Sequence, residues 1–115
     1  MTTVNLDYQA RRFYVLSGGP PTAGAPSAGG TVHGVSGDDQ GANQLPNISP
    51  NTRIGYARCP GYPFLVETGG AFSAGGALKT DANGKAIAQG GSGTIVATAL
   101  EDSSGSGLFK WAVFT

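Results

Sequence analysis

The stretch KTDANGKAIA, residues 79–88, decides how this chain is read. It crowds Asp81, Asn83 and Gly84 between Lys79 and Lys85, and three structures compete for it. A calcium loop of the EF-hand kind needs oxygen ligands at positions 1, 3 and 5, Gly at 6 and Glu at 12. With Gly84 at the sixth position, Lys79 falls on the first and Gly90 on the twelfth. A cation and a missing carboxylate make that loop a very poor calcium ligand. A Walker phosphate loop needs Gly five residues before its second Gly and a hydroxyl after its Lys. Those positions hold Lys79 and Ala86. What remains is a hairpin. Short runs at 77–80 and 85–88 flank an Asn-Gly pair, and Asn83 and Gly84 are expected to supply the positive φ angles of a tight turn.

Outward from this turn the chain reads as strands. Residues 12–17 (RFYVLS), 31–35, 52–58 and 62–68 are rich in β-branched and aromatic residues or alternate in polarity. TIVATAL at 94–100 reads as a strand, and LFKWAVFT at 108–115 as the most aromatic strand, central to the core. Residues 18–30 (GGPPTAGAPSAGG) cannot form helix or central strand, because Pro20, Pro21 and Pro26 lack backbone donors; they read as loop. GDDQGANQLPNISP at 37–50 reads as a second loop, and no segment sustains a capped helical period. Thr31 to Asp39 also echoes Thr94 to Asp102 at constant offset, with Thr on Thr, Gly34 on Ala97 and two acidic residues on two. Such an echo suits a barrel or sandwich built from two similar β-modules.

Composition agrees. Of 115 residues 20 are Gly and only 12% are charged, which favours turns and short strands over surface helices. Seven basic residues balance seven acidic ones, so the basic stripe of a nucleic-acid binder is absent and no nucleic-acid partner is expected. Arg11-Arg12 is the one basic pair. No apolar run approaches a membrane span, the first residues lack a signal-peptide pattern, and synthesis in a cytoplasm is expected. A single cysteine, Cys59, rules out an intrachain disulfide and is expected to be a buried or half-buried thiol.

Catalytic constellations are thin. His33 has Ser36, Asp38 and Asp39 nearby in sequence, but a triad is defined by geometry, and a surface or interface histidine is the expected role. The carboxylate pairs Asp38-Asp39 and Glu101-Asp102 sit in expected turns, where they support local hydrogen bonds. No enzyme, metal or cofactor is expected. A small hydrolase using His33 is one rival reading. Another is a carbohydrate- or protein-binding β-module of a fibre or cell surface, which would need Tyr14, Tyr62 or Trp111 to leave the core.

The second half carries a resemblance. VETGGAFSAGGALKTDANGKAI at 66–87 is followed by ALED at 99–102, the small-residue turn SSGSG at 103–107 and a closing apolar strand at 108–114. In that order, these parts resemble the capsid cement, or head decoration, proteins of tailed bacteriophages. The resemblance covers under half of the chain and implies a structural virion protein on the outer capsid surface. Its partners would be the major capsid protein and itself, as a homotrimer at threefold and quasi-threefold sites. The expected fold is all-β: a small β-barrel or β-sandwich with an extended N-terminal arm and long Gly/Pro-rich loops. The arm runs over 1–17 into the first strand, loops with a short strand over 18–52, and the β-domain core over 53–115. Val4, Leu6 and Tyr8 would share one face of the arm and enter capsid pockets, and Arg11 and Arg12 would pair with capsid carboxylates.

Overall fold

The structure, a computed structural model, describes residues 11–17, 22–36 and 55–115. All regular structure among them is strand: β1 (Phe13–Ser17), β2 (Thr22–Gly24), β3 (Gly34–Ser36), β4 (Gly55–Ala57), β5 (Pro63–Gly69), β6 (Ala77–Thr80), β7 (Ala86–Ala88), β8 (Ala97–Ala99) and β9 (Ser106–Phe114). The fold is all-β, as expected. Val4, Leu6, Tyr8, Asp38 and Asp39 lie outside the described residues.

The opening stretch is the hairpin β6–β7, with Lys79 opposite Ile87 and Thr80 opposite Ala86. Its turn differs from a two-residue Asn-Gly turn. Asp81 N–H donates to the Lys85 carbonyl and Gly84 N–H to the Asp81 carbonyl, so Ala82, Asn83 and Gly84 form a three-residue loop. Of these, Gly84 alone has positive φ, at 79°. This is the pattern of a type I turn followed by a left-handed glycine. The Asp81 carboxylate takes the place of a second left-handed residue by accepting the N–H groups of Asn83 and Lys85, each at 2.8 Å. That local bond is why Asp suits this position.

Strands β5-β7-β6-β8-β9 close into a barrel, and β2-β1-β3-β4 form a four-stranded sheet. The two share a plan. In the sheet, β1 pairs antiparallel with β2 and β3, and β3 with β4. In the barrel, β6 pairs antiparallel with β7 and β8, and β8 with β9. Registers correspond too. Tyr14 opposite Gly34 matches Leu78 opposite Ala97, and Gly34 opposite Ala57 matches Ala97 opposite Phe114. The sequence echo had aligned Gly34 with Ala97, so β3 and β8 fall at the same echo positions. The barrel adds β5, which pairs with β9 along most of its length and parallel to β7 at Thr68–Ala86.

One apolar cluster joins the two units: Phe13, Val32 and Val35 from the sheet side pack with Phe64, Val66, Leu78, Val96 and Phe114 from the barrel side. Phe13 meets Phe64 edge-on, with ring centroids 5.7 Å apart, while Phe64 and Phe114 stack at 4.1 Å. Such pairs add to the value of area burial alone.

Several expectations change. The 18–30 segment, read as loop, contains β2, a three-residue strand free of proline at the edge of the four-stranded sheet. The 94–100 strand contracts to Ala97–Ala99. In β9, Ala112 and Phe114 are buried, but Phe109 and Trp111 point outward, because alternate residues of a strand face opposite ways. Cys59 is exposed. It starts the turn Cys59-Pro60-Gly61-Tyr62, where Tyr62 N–H donates to the Cys59 carbonyl and Gly61 has φ 84°. Pro then Gly at the two central positions defines a type II turn, and its first residue projects into solvent.

Candidate interaction surface

The basic pair is split by the backbone. Arg11 has φ 58°, the only positive φ of a non-glycine among the described residues, and so stands outside the strand that begins at Phe13. Two backbone bonds hold it there: its N–H donates to the Ser36 carbonyl, and its carbonyl accepts from Glu67 N–H at 2.7 Å. Arg12 turns to the barrel. Its guanidinium donates to both carboxylate oxygens of Glu67, at 3.3–3.4 Å, and Lys85 reaches the same carboxylate at 3.3 Å. The three side chains are largely shielded from solvent. Phe13 N–H adds a 2.8 Å bond to the Gly84 carbonyl, so the 81–85 turn seats the root of β1 on the barrel.

Arg11 instead lines a cleft of about 130 Å³ with Tyr56, Tyr62, Pro63, Phe64 and Trp111. The cleft straddles the two units, since Tyr56 comes from β4 and Trp111 from β9. The type II turn folds Tyr62 back beside Tyr56, leaving their ring centroids 5.7 Å apart and their planes tilted by 38°. Phe64, buried, is the floor. Tyr56, Tyr62 and Trp111 keep 38%, 39% and 48% of their surface exposed. Phe109, Leu100 and Ile95 are further exposed apolar residues.

Of the aromatics named from sequence, Tyr62 and Trp111 leave the core and Tyr14 does not. Burial pushes the Tyr14 phenol above its ordinary value of 10.0. Tyr56 was missed. Its signal was its alternation with Arg53 and Gly55 in the sequence, which cannot distinguish a core-facing ring from an exposed one. His33 serves the backbone: its Nδ1 accepts the Leu16 N–H at 2.7 Å. Ser36, buried, exchanges hydrogen bonds with the backbone of Arg12. Glu101 accepts from Trp111 N–H and Asp102 from Ala74 N–H, 10 and 28 residues away, so the pair ties its turn to other segments instead of bonding locally as expected.

A five-stranded barrel carrying a topologically equivalent open sheet is therefore the class of fold. No protein-family model matches the chain, and no curated protein does. Among solved structures, it is similar to the N base of head fiber gp8.5 of bacteriophage phi29, with a TM-score of 0.73 over 99% of this chain and 90% of that one, at 17% identity. A likeness at that identity is one of fold.

Proposed function

We propose that this chain is a structural protein of a phage virion that binds the outer surface of the head. The carrying observation is that its fold, over nearly its whole length, is similar to a base domain of a phage head fiber. The order of motifs in residues 66–114 resembles capsid cement proteins, a likeness of sequence that does not rest on the fold. The chain binds the major capsid protein as a homotrimer at threefold and quasi-threefold sites and clamps neighbouring subunits. It has no catalytic role. A ligand that binds only the assembled shell stabilises it by mass action, and three linked copies raise the effective concentration of weak contacts. Closed threefold symmetry requires a heterologous interface, two different patches on each chain.

The contact to the shell is assigned to the N-terminal segment, with Val4, Leu6 and Tyr8 as anchors and Arg11 at its base. Arg12 contributes by fixing that base to Glu67. Purified virions should contain an 11.5 kDa band at a copy number comparable to the major capsid protein. Deleting residues 2–10 should abolish decoration of empty heads while thermal unfolding of the domain stays cooperative. A virion without the band would end the reading; normal occupancy by the truncated chain would remove the arm from it.

A further inference from the structure

We propose that the cleft between Tyr56, Tyr62 and Trp111, with Arg11 at its rim, binds a saccharide one ring at a time. This goes beyond a role in holding the shell together and does not depend on it. The cleft's size sets the first limit. At about 130 Å³ it is well below the roughly 300 Å³ or more of pockets that engulf a drug-sized molecule. Its occupant therefore offers a single compact group and leaves the rest outside.

Chemistry sets the second limit. The walls are aromatic residues with 38–48% of their surface exposed, on a floor that is already packed. The Tyr56 and Tyr62 planes open at 38° and form a shallow V rather than a closed stack. The C–H-rich face of a pyranose packs on the negative face of such rings. The same ring carries hydroxyls at its edge, and the residues lining the cleft carry two phenol hydroxyls and an indole N–H that can partner them, with Arg11 placing positive charge at the rim. A purely apolar side chain from a protein would cover the rings but leave those polar tips desolvated, at a cost for each. A sugar satisfies both demands.

Rigidity is the third point. Tyr62 is fixed by the type II turn and by its carbonyl accepting from Phe114 N–H, and Trp111 by Glu101 accepting its backbone N–H at 2.8 Å. The backbone carrying these two rings therefore needs no ordering on binding, a cost that weak ligands otherwise meet.

The test uses the full chain and its single tryptophan as reporter. An immobilised oligosaccharide array spanning neutral hexose, N-acetylhexosamine and uronate chains identifies ligands. A soluble N-acetylglucosamine tetramer and an oligogalacturonate then serve as titrants for Trp111 emission. Saturable binding to at least one array ligand is expected. Tyr62→Ala, read by titration, and Trp111→Ala, which lacks the reporter and is read on the array, should each weaken it at least tenfold, while Phe109→Ala, an exposed aromatic outside the cleft, leaves it unchanged. Circular dichroism and the melting midpoint check that the variants fold. If uronates alone depend on Arg11→Gln, the ligand class narrows to acidic saccharides within the same proposal. Absence of any glycan binding above that of Trp111→Ala overturns it. So does loss of head decoration in the cleft variants without any glycan signal, which would make the cleft a protein contact.

Discussion

The sheet β2-β1-β3-β4 and the barrel strands β7-β6-β8-β9 follow one pairing plan with corresponding registers, yet they end as different objects. In the barrel, β5 bridges β9 to β7 and removes both edges. No strand among the described residues does this for the sheet. The burial patterns differ accordingly. In β6 the residues alternate, with Leu78 and Thr80 buried and Ala77 and Lys79 less so. In β1, Phe13 and Tyr14 are both buried, although neighbours on a strand face opposite ways. β1 therefore serves two interiors: Tyr14 packs against β3, and Phe13 joins Phe64 and Phe114. One plan used twice thus gives a barrel with its own interior and a sheet that leans on it.

The largest expected effect tests that dependence. Phe13→Ala removes a fully buried ring shared by both units and should cost about 3–5 kcal/mol, measured by urea unfolding. If the core is truly common, amide exchange accelerates in β6 and β8 as well as in β1 and β3. Unchanged protection in the barrel strands would mean two independent cores and would break the comparison at its centre.

Next comes a substitution that makes the halves more alike. Gly34 corresponds to Ala97, so Gly34→Ala copies the barrel's residue into the sheet. The added methyl would overlap the Tyr56 carbonyl oxygen and come within 2.6 Å of the Tyr14 hydroxyl. The expected loss is about 3 kcal/mol, the upper part of the usual overpacking range. Tyr14→Leu, the matching change to Leu78, should recover only part of it in a double-mutant cycle, because the carbonyl stays in place. Full recovery would show that ring size alone separates the two pairs.

Glu67→Gln then tests the seam. It leaves Arg12 and Lys85 without their shared carboxylate and should cost about 2 kcal/mol, typical of hydrogen bonds to charged groups. The loss should be smaller in high salt, because the group is only partly shielded. A loss below about 0.5 kcal/mol would place the hold of β1 on the barrel in the backbone bonds from Phe13 and Glu67 alone.

Much of this was legible in the sequence, for local reasons. The hairpin at 77–88 announced itself through Asn-Gly between short apolar runs, and 12–17 and 62–68 through β-branched and aromatic content. The repeat showed where Gly34 and Ala97 align, but the equivalence of β1 with β6 did not, because Phe13-Tyr14 and Ala77-Leu78 fill different volumes on the same path. Asn83 is not the left-handed residue expected of it, because Asp81, two residues earlier, bonds the backbone itself and makes a second left-handed residue unnecessary. The cleft was half visible. Tyr62 and Trp111 were candidates, but their convergence with Tyr56 and Arg11 depends on a turn and a register across four segments, which no local pattern encodes.

The smallest effect separates the halves by charge. Tyr14 is buried in the sheet, and its phenol ionises above its ordinary value of 10.0 because burial disfavours the phenolate. Its counterpart Leu78 has nothing to ionise. Below pH of about 10, Tyr14 keeps its proton in both folded and unfolded chains, and stability does not depend on it. Above that, the unfolded chain releases the proton while the folded one retains it, so the unfolded state binds fewer protons and stability falls as pH rises. Urea midpoints taken from pH 8 to 11 should therefore drop more steeply in the native chain than in Tyr14→Phe, with lysines and the other tyrosines common to both. Amide exchange should locate the first opening in β1 and β3, with β6 and β8 following. Equal slopes in the two chains would mean that Tyr14 reaches solvent before unfolding. The sheet's double burial of β1 would then be looser than the barrel it resembles.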